Sequence, residues 1–422
     1  MSGSGRRWLW LLVGSAILTQ TTLNLVRPTV SYQLLGMGAD AGVVGAVTSA
    51  YALLPLVLVL WLGRLTERTP RLSVLVAVAA VVFSASCLLL SIATTIWVVA
   101  LATVVLGVAH IVFTIAGQAA IARYLPSEEL DRGFGWFTAG FAVGQLIGPV
   151  LGGLMLGADA GPGDRTAAIG LIMLVGAAVS LAAVPVIAPL LLGRALPGSS
   201  AGAPGAEDPQ PRPPQSSADA GPDAAAASAA APTMRGILRV RSVPSHMVAS
   251  LALLAMVDLL IAFLPVVGEQ QDVSPVWVGV FLAVRAGATI LSRIVLPWLS
   301  ARFRRSDLVI VSLLGAGVMI VATPSTLMWP TVTIVLMAIG GFFLGLGQPL
   351  TMTLIVQAVP MTWRSTALAV RLMGNRLGQV ALPMAAGAVA STVGPAGAIW
   401  FAGLLLVISG GEKSLRRRRR TT

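Results

Sequence analysis

Residues 132–153 read RGFGWFTAGFAVGQLIGPVLGG, and residues 366–387, 234 positions further on, read TALAVRLMGNRLGQVALPMAAG. At that offset Gly140, Gly144, Gln145, Pro149 and Gly153 fall on Gly374, Gly378, Gln379, Pro383 and Gly387. The same spacing carries Gly107 onto Gly341 and Pro126 onto Pro360, and sets GRLTERTPR (63–71) against PWLSARFRR (297–305). One offset linking four separated regions marks the chain as two parallel copies of one unit.

Composition places that repeat in lipid. Of the 422 residues 56% are apolar and only 10% charged, and mean hydropathy is +0.88. That leaves too little polar material to cover a water-soluble body of this size. A hydrocarbon core needs about 20 apolar residues per helix. Suitable runs lie near 8–28, 41–62, 72–93, 95–121, 132–157 and 167–192, then near 243–266, 274–299, 307–323, 328–351, 364–390 and 393–411. Lipid offers no partner to unpaired backbone groups, so the runs must be helices. The expected fold is an all-α integral membrane protein with twelve transmembrane helices in two six-helix repeats. Its expected parts are a first bundle (1–192), a flexible cytoplasmic linker with the entry to helix seven (193–242), a second bundle (243–411) and a basic tail (412–422). The linker expectation rests on residues 193–232, rich in Ala, Pro, Gly, Ser and Asp, which bury too little apolar surface to offset the cost of ordering.

The formal net charge of +12 is concentrated in short clusters between the apolar runs, which is membrane topology rather than a nucleic-acid face. Arg6, Arg7, Arg64, Arg68, Arg71, Arg123, Arg132, Arg235, Arg239, Arg302, Arg304, Arg305 and Arg364 fall on one side, with Arg416 to Arg420. The opposite turns carry Asp40, Asp159, Asp164, Arg165, Glu269 and Asp272. The basic side is therefore expected in the cytoplasm of a bacterial cell with both termini, and the five terminal arginines against anionic headgroups. The single cysteine, Cys87, excludes an intramolecular disulfide. Without a phosphate-binding loop, and with His110 and His246 outside any HExxH pattern, no cofactor or metal is expected, and no enzyme.

In these features the chain resembles a transporter of the major facilitator superfamily. That family's loop between helices two and three, Gly-x-Leu-Ala-Asp-Arg-x-Gly-Arg-Arg, is met here by Gly63, Leu65, Arg68 and Arg71, with Glu67 for the aspartate and Pro70 for the second glycine. GQLIGPVLGG (144–153) matches the Gly-x-x-x-Gly-Pro-x-x-Gly-Gly pattern the family associates with exporters, chiefly proton-driven antiporters. The resemblance implies conformational switching through Gly63, Glu67, Arg68, Arg71, Gly140, Gly144, Gly148, Pro149, Gly152 and Gly153. The glycines let helices approach, and Pro149 frees a backbone hydrogen bond. One departure stands out: family exporters commonly carry an arginine four residues before a glycine in helix four, and Thr103 occupies that place before Gly107.

A different ionisable group must then serve any proton coupling. Asp258 lies about 14 residues into the seventh run, or about 21 Å at 1.5 Å per residue. A carboxylate at that depth is costly unless paired or protonated. Arg285 and Arg376 are the expected partners, with a structural salt bridge as the alternative role. Asn375, His110, Asn24 and Gln145 join them as central-cavity candidates, Asn24 because it is the repeat counterpart of Asp258. Arg27 reads as interfacial. The expected function is export of a small, partly apolar compound by a monomer in exchange for protons. A proton-coupled importer and a non-transporting receptor remain alternatives.

Overall fold

The computed structural model describes residues 7–126, 129–157, 162–192, 234–240, 242–360 and 363–421. The first half comprises α1 (Arg7–Gly36), α2 (Ala41–Arg68), α3 (Leu72–Ser91), α4 (Ile96–Tyr124), α5 (Leu130–Leu156) and a sixth span broken at Ala182 into α6 (Pro162–Leu181) and α7 (Ala183–Leu191). After a short α8 (Met234–Arg239) the second half comprises α9 (Val243–Gln270), α10 (Pro275–Arg302), α11 (Arg305–Ala322), α12 (Pro330–Gln357), α13 (Arg364–Val393) and α14 (Ala396–Thr421). The expected all-α fold of twelve spans in two six-helix halves is what forms, and no strand occurs among the described residues. Eleven spans are long and apolar enough to cross a membrane by length and composition. The twelfth, α13, carries Arg364, Arg371 and Arg376.

Several boundaries differ from those expected. The first helix continues to Gly36 rather than ending near residue 28, because the polar stretch around Arg27 is sheltered inside the protein. The last runs on through the basic tail to Thr421. Residues 193–233 of the expected linker lie outside the described residues. Asp40 starts α2 by accepting from the Val43 N–H at 2.8 Å, which fills one of the donors a helix leaves open. Both α5 and α13 stop at glycines with positive φ, Gly157 at 74° and Gly394 at 90°, a conformation side-chain-bearing residues rarely adopt.

Each half has its own large apolar core. Trp8 of α1 meets Tyr124 at the end of α4, and Lys413 of α14 meets His246 at the start of α9. Arg27 of α1 meets Asp258 of α9 and Ser31 meets Ala262, so α1 and α9 run side by side in one direction and their starts share an end, here called proximal, with the helix ends near Tyr124 and Lys413. At the other, distal end the halves touch through two matched contacts, α2 on α13 and α5 on α10. A Cβ built on Gly45 would stand 2.8 Å from Gly387 Cα, and one on Gly279 would stand 3.1 Å from the carbonyl carbon of Pro149 and 3.4 Å from Gly153 Cα. Gly45 and Gly279 are themselves 234 positions apart, so the repeat places the same backbone-to-backbone approach twice.

Gly140, Gly144 and Gly148 share one closely packed face, and the helix it packs on is α1 of their own half. A Cβ on Gly148 would come within 2.7 Å of Leu25 N and Thr21 O, and one on Gly144 within 2.6 Å of Thr21 N. Gly152 also faces Leu25. Pro149 and Gly153, at the end of that pattern, reach across to the other half.

Candidate functional site

The centre of the molecule is held by polar side chains from both halves. Arg27 of α1 donates from Nη1 to Oδ1 of Asp258 on α9 at 2.8 Å. Gln379 of α13 donates from Nε2 to the other carboxylate oxygen at 2.8 Å, and Arg376 Nη1 donates to Gln379 Oε1 at 2.8 Å. The guanidinium of Arg27 also lies over the Tyr51 ring, 4.6 Å from its centroid, and the Tyr51 hydroxyl hydrogen-bonds His110 Nδ1. A continuous chain thus runs from α4 through α2 and α1 to α9 and α13.

This arrangement corrects the expected pairing. Asp258 was expected to meet Arg285 or Arg376, and Arg27 to sit at the membrane boundary. Instead Arg27 is the direct partner, its side chain only 12% exposed, and Arg376 reaches the carboxylate through Gln379. The longer α1 explains the difference. Nine residues of helix follow Arg27, about 14 Å at 1.5 Å per residue, so it lies well inside the span.

Arg285 is buried and close enough to Asp258 and Arg27 to interact electrostatically with both, but its buried Nε has no hydrogen-bond partner. It occupies in the second half the place of Tyr51 in the first, 234 positions earlier. Both backbones are approached by a repeat-related glycine two helices further on, on α4 and α12. A Cβ on Gly107 would lie 2.9 Å from the Tyr51 carbonyl carbon, and one on Gly341 2.8 Å from Arg285 Cα.

The remaining candidates divide. Asn24 is buried and turns back on its own helix, donating to Gln20 O at 2.8 Å. Asn375 is buried and Gln145 half-buried. His110 stands among Tyr51, Phe83 and Phe141 at ring separations of 6.0, 6.5 and 6.3 Å, with a buried Nε2 that has no partner. Arg371 is tied down within the second half, donating to Ser250 Oγ and Gln348 Oε1 at 3.0 Å each. Thr103 donates to Val99 O of its own helix. With Arg27, Tyr51, Thr48 and Leu106 it lines a narrow cleft between the halves.

Of the loop residues, Arg68 and Arg71 are exposed. Gly63 and Glu67 fall on α2, and their side chains lie outside the described residues. Arg123, read from the sequence only as a topology signal, clamps this loop by donating to the Thr69 and Thr66 carbonyls at 2.7 and 2.8 Å. A second ion pair between the halves, Arg165 with Glu269, closes the distal end beside Tyr32. The sequence placed both residues in distal turns without marking them as partners.

Such a site can hold two halves together through charge that is shielded from water. Two six-helix halves around buried ionisable groups are the build of a membrane transport protein, in which access alternates between the two ends. The chain belongs to the Major Facilitator Superfamily, whose family model matches residues 9–324 and, in a second placement, 247–418. It is 27% identical to tetracycline resistance protein class B of Escherichia coli over 128 residues, 30% of this chain and 31% of that protein. It is 30% identical to a probable actinorhodin transporter of Streptomyces coelicolor over 187 residues, 42% of this chain and 32% of that protein. The chain therefore spans about a third of the length of these curated relatives.

Among solved structures it resembles a bacterial homolog of the human lysosomal transporter Spinster in an inward-facing, unoccupied conformation. The TM-score is 0.72 at 18% identity, covering 99% of this chain and 98% of that one. It also resembles the nucleoside transporter NupG, with a TM-score of 0.72 at 13% identity over 97% and 99% of the two chains. At these identities the likeness is one of fold.

Proposed function

We propose that the protein is a secondary transporter of the bacterial cytoplasmic membrane that exports a small, partly apolar organic compound by alternating access, in exchange for protons. The observation that carries this reading is the Arg27–Asp258 pair. It joins the two halves, and its side chains are 12% and 7% exposed. Parting the halves at the distal end pulls α1 from α9 and strands both ions. Leaving one buried ion unpaired costs on the order of 3–5 kcal/mol. A proton on Asp258 removes that cost for the carboxylate and frees Arg27 for another partner. Opening is then favoured when Asp258 is protonated and closing when it is not, which is the difference in proton affinity between two states that coupling requires.

Further support comes from Arg27 itself. Thr103 stands where family exporters commonly carry an arginine, and Arg27 brings a guanidinium to the cleft that Thr103 lines. Export is favoured over import by the 144–153 glycine–proline pattern. The relatives named for tetracycline resistance and for an actinorhodin transporter point the same way. The basic proximal end faces the cytoplasm by the positive-inside rule, so the distal contacts, two through glycines and one ionic, close the outward side.

The test is flux of a panel of small organic compounds in oriented proteoliposomes under an imposed pH gradient. Movement of at least one compound opposite to proton entry is expected. Uptake with protons, and no movement against them, would overturn export.

A further inference from the structure

The charges at the centre do not balance. Arg285 and Arg376 each interact electrostatically with Arg27 and Asp258, Arg27 is paired with Asp258, and among the described residues Asp258 is the one buried carboxylate. Three guanidinium groups therefore face one carboxylate at mid-membrane depth. Asp258 has filled both oxygens, one with Arg27 and one with Gln379. Arg285 is only 2% exposed and Arg376 9% exposed, and each has a buried Nε without a hydrogen-bond partner. Buried cations without counter-charges are costly, and guanidinium cannot lose its proton to relieve the cost. The groups facing them add no negative charge. They are Tyr51 on α2, His110 on α4 and Gln379 on α13, and Arg293 on α10 adds a further cation beside Arg285.

Next to these donors lies an aromatic wall. Tyr51 and His110 stack with centroids 6.0 Å apart, and Phe141 lies 6.3 Å from His110 and 4.7 Å from Phe137. Phe137 and Phe83 are fully enclosed, which leaves the half-buried Phe141 and His110 as the accessible part of that wall.

From the excess of guanidinium over carboxylate we infer that the transported compound is an organic anion, an aromatic acid whose oxyanion takes the unfilled donors of Arg285 and Arg376 and whose rings lie along His110 and Phe141. Guanidinium presents parallel N–H groups that match a carboxylate in a bidentate way. An anion here also competes with Asp258 for Arg27. Substrate and proton then act on the same pair, the proton by neutralising the carboxylate and the substrate by replacing it. The inference rests on the transport reading above and adds the class of compound to it.

The test is equilibrium binding to the purified full-length protein in detergent, without turnover. Probes are benzoate, 1-naphthoate and anthracene-9-carboxylate, each beside its primary amide and its methylammonium analogue. At least one acid is expected to bind tenfold or more tighter than both analogues of the same ring size. Arg285→Gln and Arg376→Gln should each weaken that acid by about tenfold to a hundredfold, the range for losing a charge-assisted hydrogen bond. Arg285→Lys keeps the charge and should weaken it less, and it serves if the glutamine variant does not fold.

The inference is overturned if the amide or ammonium binds as well as the acid at every ring size, if none of the acids binds at millimolar concentration, or if the acid keeps its affinity in the folded arginine variants. Those outcomes leave export standing. Acid binding with no flux would instead remove the transport reading and keep the site.

Discussion

Replacing Gly279 by Ala tests whether the distal glycine contacts are the surfaces that part during the cycle. The added Cβ would stand 3.1 Å from the Pro149 carbonyl carbon and 3.4 Å from Gly153 Cα, and closer still to Pro149 O. These neighbours are backbone and cannot rotate away, so α5 and α10 must separate by some tenths of an ångström. Overpacking of this kind costs about 1–3 kcal/mol, and it applies only where the halves touch. The helix-propensity gain of alanine over glycine, about 1 kcal/mol, is common to both states and cancels. The population open at the distal end should therefore rise by about 5- to 150-fold, at tenfold per 1.4 kcal/mol. Gly45→Ala should do the same, because its Cβ would stand 2.8 Å from Gly387 Cα.

The assay is the distance distribution between nitroxides on Gly36→Cys and Thr392→Cys, with the buried Cys87 replaced. Gly170→Ala, where a Cβ meets nothing within 4 Å, is the control. Distributions for both contact variants indistinguishable from the control would refute the reasoning.

Removing the distal ion pair by Glu269→Gln should shift the same distribution by no more than about fivefold, since partly exposed pairs contribute about 1 kcal/mol or less. The shift should shrink at high salt, which repeating the measurement at two ionic strengths checks. Gly148→Leu should lower the melting temperature of the detergent-solubilised protein, because Leu25, Thr21 and Asn24 backbone atoms stand within 2.8 Å of the new Cβ. An unchanged melting temperature would show that α5 can move off α1 freely. Cysteines introduced beside Arg68 and Arg304 should label from the cytoplasm, and those beside Asp40 and Glu269 from outside. Reproducible reversal of either set would reverse the assigned topology.

The architecture was readable because two signals in the chain are long-range and redundant. A 234-residue offset recurs in glycines, prolines and loop charges, and lipid admits few alternatives to helix over such apolar runs. Gly45 with Gly279, and Tyr51 with Arg285, are repeat pairs whose contacts the structure shows to match. The centre was only partly readable. Asp258, Arg285, Arg376 and His110 stood out as ionisable groups inside apolar runs. Which cation meets Asp258 depends on how the halves dock, and local sequence carries no record of that. Arg27 reads as interfacial in the sequence because its run thins out near residue 28. The Pro28–Gln33 segment is polar because it faces protein, as in the Ser31 hydroxyl donating to Ala262 O at 2.8 Å and Gln33 donating to Leu90 O at 2.9 Å. Hydropathy cannot tell a helix leaving the membrane from one turning a polar face inward. The glycine pattern at 144–153 was legible as a packing device, but its partner helix was not.

The central claim is that protonation of Asp258 governs parting of the halves, and Asp258→Asn tests it most directly. Asparagine keeps the shape and one acceptor oxygen, turns the other into a donor, and carries no titrating charge. Transport driven by a pH gradient and substrate exchange without a gradient are measured in one preparation of proteoliposomes. The account predicts that gradient-driven accumulation is lost while exchange persists. Accumulation at the parental level in the Asp258→Asn protein would contradict it.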